Sequence, residues 1–137
     1  TDDSRISCCN VGEYKSRKNM VGDLITRPPE KVKSTTEKLL NEYNKKQTVS
    51  FEDILDFHVK FERIHPFQDG NGRVGRIIMF KECLKYNIVP FIIEDNLKMY
   101  YYRGLKEWDN EKGYLRDTCL TAQDRYKQYL DYFEIKY

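Results

Sequence analysis

Long apolar runs are missing from this chain of 137 residues, and none approaches the roughly 20 residues needed to cross a bilayer. Its opening residues do not read as a secretory leader, and no initiator methionine is present. The sequence therefore reads as a fragment, or as a chain whose upstream helices have been removed. An excess of one charge is missing too: 24 Lys and Arg stand against 22 Asp and Glu, a net charge of +2. That balance leaves no basic footprint for nucleic acid. The four cysteines, Cys8, Cys9, Cys83 and Cys119, include no Cys-x-x-Cys pair that could bind zinc. Neighbouring cysteines rarely bridge each other, and Cys83 and Cys119 fall on helix-like apolar stripes, so all four are expected to be reduced thiols. These absences predict a cytoplasmic chain with no membrane or nucleic-acid partner. Its length suits one domain with its own core over residues 1–137.

What is present is helical periodicity. Val32, Thr36, Leu39, Leu40 and Tyr43 form a stripe for a first helix, entered after Pro28-Pro29. Ser50-Phe51-Glu52-Asp53 resembles a capping box for a second, striped by Ile54, Leu55, His58 and Phe61. His58 on that stripe reads as a core histidine. A third helix carries Ile77, Ile78, Phe80, Lys81 and Leu84, and apolar residues on several of its faces predict that it is central and buried. Leu97, Tyr101, Leu105 and Trp108 mark a fourth, and a last stripe runs from Leu115 to Phe133. Strand candidates occur only within residues 14–27, where the sequence is polar and poorly periodic.

One segment carries the chemistry: His65-Pro66-Phe67-Gln68-Asp69-Gly70-Asn71-Gly72-Arg73-Val74-Gly75-Arg76. Gly70-Asn71-Gly72 removes side chains where a backbone must approach a ligand, and glycine tolerates the positive φ of an anion-cradling nest. The apolar run that follows places these glycines at a helix start, where unpaired N–H groups and a partial positive charge favour phosphate. Arg73 and Arg76, three residues apart, share a helix face from which both planar forks can reach phosphate oxygens. Asp69 supplies one hard oxygen ligand, in keeping with Mg²⁺ bound by one or two carboxylates plus phosphates and waters. His65, with an ordinary pKa of about 6.5, can accept a proton from a nucleophile at neutral pH.

The same segment matches the Fic motif, His-x-Phe-x-Asp/Glu-Gly-Asn-Gly-Arg-x-x-Arg, at every specified position. Gly12-Glu13-Tyr14-Lys15 resembles the family's Gly-x-Tyr-Arg/Lys entry to a β-hairpin flap. Val21-Gly22, followed by Pro28-Pro29, is similar to that flap and its exit. Pro90-Phe91-Ile92-Ile93, Tyr101-Tyr102 and Leu105 resemble the segment after the motif helix. The resemblance implies a mainly α fold, a Fic-type helical bundle with a β-hairpin flap over about residues 12–29 and the motif loop at 65–76. It also implies a magnesium-dependent protein adenylyltransferase, moving AMP from ATP to a Ser, Thr or Tyr hydroxyl of a target protein with release of pyrophosphate.

Carried over by residue, His65 would be the base and Phe67 the anchor of the motif loop. Asp69 would hold Mg²⁺. Gly70, Asn71 and Gly72 would form the anion hole, with Asn71 also touching phosphate, and Arg73 and Arg76 would bind the outer phosphates. Val21 and Gly22 would lie near nucleotide and target, and Tyr101 near the adenine. Lys15 to Lys18 would be a solvated edge of the flap. Gly72-Arg73 replaces the lysine-containing variant of the Doc-type kinases, which argues against simple phosphorylation. Transfer of another nucleotide or phosphate-containing group, and a catalytically silent binding module, are the alternatives. The family's inhibitory pattern, Ser/Thr-x-x-x-Glu-Gly/Asn, is absent from residues 1–137. That leaves an inhibitory helix upstream of Thr1, one on a separate partner, or none.

Overall fold

The computed structural model describes residues 12–21 and 24–137, and it is mainly α-helical. Helix α1 spans Pro29–Asn44. Pro29 stands at the first helical position, where no N–H is needed, and Glu30 complements the helix dipole in the first turn. Its buried stripe is Val32, Thr36, Leu39 and Tyr43. Helix α2 spans Phe51–Ile64. The expected capping box forms with Asp53 in the acidic role: Asp53 N–H donates to Ser50 Oγ at 3.1 Å and Ser50 N–H to Asp53 Oδ2 at 2.9 Å. Such a cap stabilises a helix by about 1 kcal/mol. Helix α3 is Asn71–Lys85, α4 is Lys98–Glu107 after a 3₁₀ turn at Asp95–Leu97, and α5 is Gly113–Tyr132.

Two compact units divide the chain. One comprises the described residues as far as Thr48 with Lys60–Gly75, and the other Val49–Val59 with Arg76–Tyr137. The second unit has a core built from Ile54, Leu55, Val59, Met79, Cys83, Phe91, Tyr101, Trp108, Leu115 and Cys119. Several of its buried polar groups find partners within it. His58 bonds the Tyr101 hydroxyl, Trp108 Nε1–H donates to Asp56 Oδ1 at 3.0 Å, and Gln123 Nε2–H to the Val89 carbonyl at 2.8 Å. His58 is thus the core histidine that its stripe predicts. Cys83 and Cys119 are buried free thiols, and burial is the main cause that raises both above the ordinary thiol range.

Gly104 of α4 lies close against the backbone of α5. A Cβ there would lie 2.6 Å from Leu115 Cα and 2.8 Å from Leu115 N, atoms of α5 that cannot swing aside. Alanine gains up to ~1 kcal/mol of helix propensity over glycine, but overpacking against a backbone costs about 1–3 kcal/mol or more. Gly104→Ala is therefore expected to lower the midpoint of urea unfolding despite its better propensity. A midpoint that rises would show that the two helices separate freely.

Three expectations are corrected. The β-hairpin flap over residues 12–29 is not formed. Strand pairing among the described residues is confined to Met20–Val21 (β1) against Leu24–Ile25 (β2), antiparallel, with Met20 opposite Ile25. The other described residues from 12 to 28 are turn, bend and irregular backbone, and Pro29 already belongs to α1. A polar stretch without alternation has no buried face to fix a longer register, and a short isolated strand pair is marginal. Secondly, α3 is not buried on several faces: Ile77 is 68% and Leu84 56% exposed. Buried residues surround most of α2 instead, with Ile54, Leu55, Phe57, His58, Val59, Phe61 and Ile64 all enclosed. Finally, the stripe of α5 is buried from Leu115 to Gln123, whereas Tyr129 and Phe133 are exposed.

Candidate active site

Pro66 disfavours helical geometry at the residue before it, so α2 has to stop at Ile64. His65 instead takes a left-handed conformation, with φ of 53°, while its N–H still reaches the Phe61 carbonyl at 3.1 Å. Left-handed backbone costs an ordinary residue roughly 1–2 kcal/mol and commonly closes a helix C-terminus. Here it also redirects the imidazole. Nδ1 lies 3.0 Å from the Glu62 carbonyl, which can only accept, so Nδ1 carries the proton and Nε2 keeps a free lone pair. Burial lowers the His65 pKa below its ordinary 6.5, the Glu62 bond opposes that, and the nearby Lys15 charge lowers it further. The geometry thus leaves a neutral imidazole with an accepting Nε2.

The loop after His65 is held by its own side chains. Asn71, buried at the start of α3, accepts from Phe67 N–H at 2.8 Å and donates to the Phe67 carbonyl at 2.7 Å. Asn19 donates to that same carbonyl at 3.0 Å, and the Phe67 ring is half-buried and stacks beside Tyr14, with ring centroids 6.3 Å apart. Gly70 has φ of 80°, a left-handed position that favours glycine. The first helical bond of α3 runs from Val74 N–H to the Gly70 carbonyl at 3.0 Å. The N–H groups of Asn71, Gly72 and Arg73 consequently have no helical carbonyl to meet, and they form a donor cradle at the positive end of the dipole.

Asp69 and Arg73 flank that cradle. Asp69 Oδ1 accepts from Gly70 N–H at 2.8 Å, and its Oδ2 lies 3.8 Å from Arg73 Nη2 with both side chains largely exposed. Such an exposed pair contributes at most ~1 kcal/mol, so a phosphate can compete for the guanidinium. Arg76 follows on the second turn of the same helix, half-buried.

A sequence model of the Fic/DOC family matches residues 2–83, more than half of the chain. The chain belongs to the Fic/DOC family. It is similar to a protein adenylyltransferase Fic of Nematostella vectensis, 32% identical over 104 residues that cover 71% of this chain and 23% of that protein. It also resembles a probable protein adenylyltransferase of Aquifex aeolicus, 42% identical over 53 residues, 38% of this chain and 17% of that one. A crystal structure of a Fic domain-containing signalling protein from Bacteroides thetaiotaomicron superposes with a TM-score of 0.67 at 27% identity, covering 91% of this chain and 50% of the other. A Fic family protein from Desulfovibrio desulfuricans gives 0.68 at 25% identity, covering 93% and 43%. This Fic/DOC chain spans about a quarter or less of these two curated relatives, and half or less of the solved structures.

Within this Fic/DOC chain, His65, Phe67, Asp69, Gly70, Asn71, Gly72 and Arg73 come together on one loop and helix start. Arg76 continues the same helix. Tyr101 lies in the core of the second unit, 2% exposed with its hydroxyl on His58. Val21 lies in β1, and Gly22 is outside the described residues, as are Cys8 and Cys9. Among the described residues no three His, Cys, Asp or Glu side chains gather to hold a metal. Asp69 alone fits a Mg²⁺ that arrives with nucleotide phosphates, and does not fit an ion held by protein alone. No helix among the described residues is long and apolar enough to cross a membrane.

Two site residues escaped the sequence reading. Lys15 is 4% exposed instead of forming a solvated edge, and Asn19 holds both Lys15 and Phe67. The Gly12-Glu13-Tyr14-Lys15 match was the available signal, since a family pattern that specifies a basic side chain points to a fixed partner.

Proposed function

We propose that this chain carries a protein adenylyltransferase site, which moves AMP from ATP onto a target hydroxyl and releases pyrophosphate. The observation that carries this reading is an imidazole with an accepting Nε2 placed one locked loop away from a helix-start donor cradle. His65 Nε2 takes the proton of a Ser, Thr or Tyr hydroxyl as its oxygen attacks the α-phosphorus. The bond from that phosphorus to the bridging oxygen breaks, and pyrophosphate leaves. Amides of Asn71, Gly72 and Arg73 receive the phosphate charge, and the Asn71 side chain, spent on Phe67, contributes by fixing the loop. Arg73 and Arg76 bind the departing β- and γ-phosphates, where planar forks match the oxygens. Asp69 would hold Mg²⁺, which when bound neutralises phosphate charge.

Intact-mass analysis of candidate target proteins incubated with each nucleoside triphosphate is the direct test. A gain of one AMP, abolished in His65→Ala, is expected. Gain of a different nucleotide would favour the second reading, to which the burial of Tyr101 lends weight because it removes the expected adenine contact. No gain with any triphosphate, from a chain that binds them, would leave a silent binding module.

The roles of the charged groups are separable by calorimetry. Arg76→Ala should weaken ATP binding by about 10–100-fold, since a hydrogen bond to a charged group is worth roughly 1.5–3 kcal/mol. AMP, which lacks the outer phosphates, should bind nearly as before. Equal losses for ATP, ADP and AMP would make Arg76 structural. Asp69→Ala should abolish transfer without rescue by moderate extra Mg²⁺.

A further inference from the structure

Lys15 is enclosed, and its ammonium uses all three of its donors. Nζ reaches Asn19 Oδ1 at 2.6 Å, Thr26 Oγ1 at 2.9 Å and the Ile64 carbonyl at 3.3 Å. None of these acceptors is a carboxylate, so among the described residues the charge is solvated by neutral dipoles and not by an ion pair. Its backbone N–H donates to the Pro66 carbonyl at 2.8 Å. One residue thus grips the carbonyls immediately before and after His65. The Ile64 contact lies at the C-terminus of α2, where an unpaired carbonyl and the negative dipole end both favour a cation.

We propose that Lys15 is a positioning residue for His65, clamping the chain on both sides of it and setting a positive charge near the imidazole. His65 occupies a left-handed conformation that its own preferences disfavour, so contacts from outside the loop have to maintain it. Lys15 supplies two of them. A neighbouring cation also disfavours imidazolium. Other ionisable side chains on the elements meeting here are Glu13, Arg17 and Lys18 on the entering segment, Glu62 and Arg63 in the last turn of α2, and Asp69 beyond the loop. Among the described residues, the Lys15 charge acts on the His65 equilibrium and lowers its pKa, after burial. The inference rests on the proposed function only in treating His65 as a base.

The test reads the imidazole itself and needs no turnover. The chain has two histidines, and His58, buried against Tyr101, serves as the internal control. Long-range proton–nitrogen spectra report the tautomer and titration of each ring. Wild-type His65 should be protonated on Nδ1 and titrate below 6.5. Lys15→Met should raise its pKa and lower the Nδ1–H population while His58 stays unchanged. Lys15→Gln, which keeps a donor but not the charge, should raise the pKa with less change of tautomer, and Lys15→Arg should restore the wild-type value.

If the chain proves to be a transferase, Lys15→Met should cut kcat about 10–100-fold with little change in the KM for ATP, as small misplacements of a catalytic group do. The acid limb of its pH profile should move upward. An unchanged His65 titration and tautomer in folded Lys15→Met overturns the proposal. Should that variant not fold, an unchanged titration in Lys15→Gln does the same. A wild-type His65 titrating at or above 6.5 overturns it with no variant at all.

Discussion

Replacing His65 with alanine is expected to lower the proposed AMP transfer by about 10²–10⁴-fold, the usual worth of a positioned general base, with ATP affinity close to wild type. Geometry gives the reason: Nδ1 is committed to the Glu62 carbonyl, so Nε2 is the ring's acceptor, and alanine has none. Backbone strain has to be separated from that loss, because φ is 53° here. Alanine is no more at ease there than histidine, whereas glycine is. His65→Gly should therefore lose the same activity while gaining roughly 1 kcal/mol of stability. A glycine variant that retained transfer would mean that the imidazole is only a helix terminator. In the wild type the acid limb should lie below pH 6.5. Burial and then Lys15 lower the pKa against the Glu62 bond, and a lower pKa keeps the ring neutral, and so able to accept, further into acid. Activity from pH 5 to 8 checks this. An acid limb above 6.5 would show an imidazole that is exposed or paired with a carboxylate.

How much of this was legible in the sequence depended on how local each interaction is. The motif loop could be read because its partners are near neighbours: Asn71 holds Phe67, Gly70 supplies its φ, and Val74 opens the helix, all within eight positions. The capping box of α2 was legible for the same reason. Lys15 was not, because its acceptor Ile64 lies 49 residues away and a single distant hydrogen bond leaves no period in a sequence. A run of basic residues looks the same whether one ammonium is enclosed or all are solvated. The strand pair shrank because alternation, the one signal that fixes a hairpin, was missing from the start. For Tyr101 the stripe pointed to the core, where the residue is enclosed, and the family likeness pointed to a ligand. Apolar residues on α3 misled in the opposite direction, since Ile77 and Leu84 show that hydrophobicity alone does not say which face is covered.

Asn71→Ala should be the most damaging change that touches neither base nor charge. The Phe67 carbonyl would keep Asn19 as a donor, but the Phe67 N–H would lose its acceptor. A fully buried amide left unpaired costs about 1–3 kcal/mol, this part-buried one toward the lower end, and loss of the second bond adds about 1 kcal/mol. Against a typical stability of 5–15 kcal/mol that is a substantial fraction. Activity should fall further than stability implies, by about 100-fold, because the same bonds set the distance between His65 and the amides of α3, and small misplacements cost rate steeply. Asn71→Asp distinguishes the two hydrogen bonds. It keeps an acceptor for the Phe67 N–H and suits the helix N-terminus, yet it turns an oxygen toward the Phe67 carbonyl, where a donor now lies at 2.7 Å. Stability of Asn71→Asp should fall between alanine and wild type, and should improve at a pH low enough to protonate the new carboxyl. Urea unfolding at pH 4 and pH 7, with transfer measured at matched folded fraction, decides the matter. If Asn71→Ala unfolds like wild type and transfers AMP normally, the loop is held by Tyr14 and Asn19 alone.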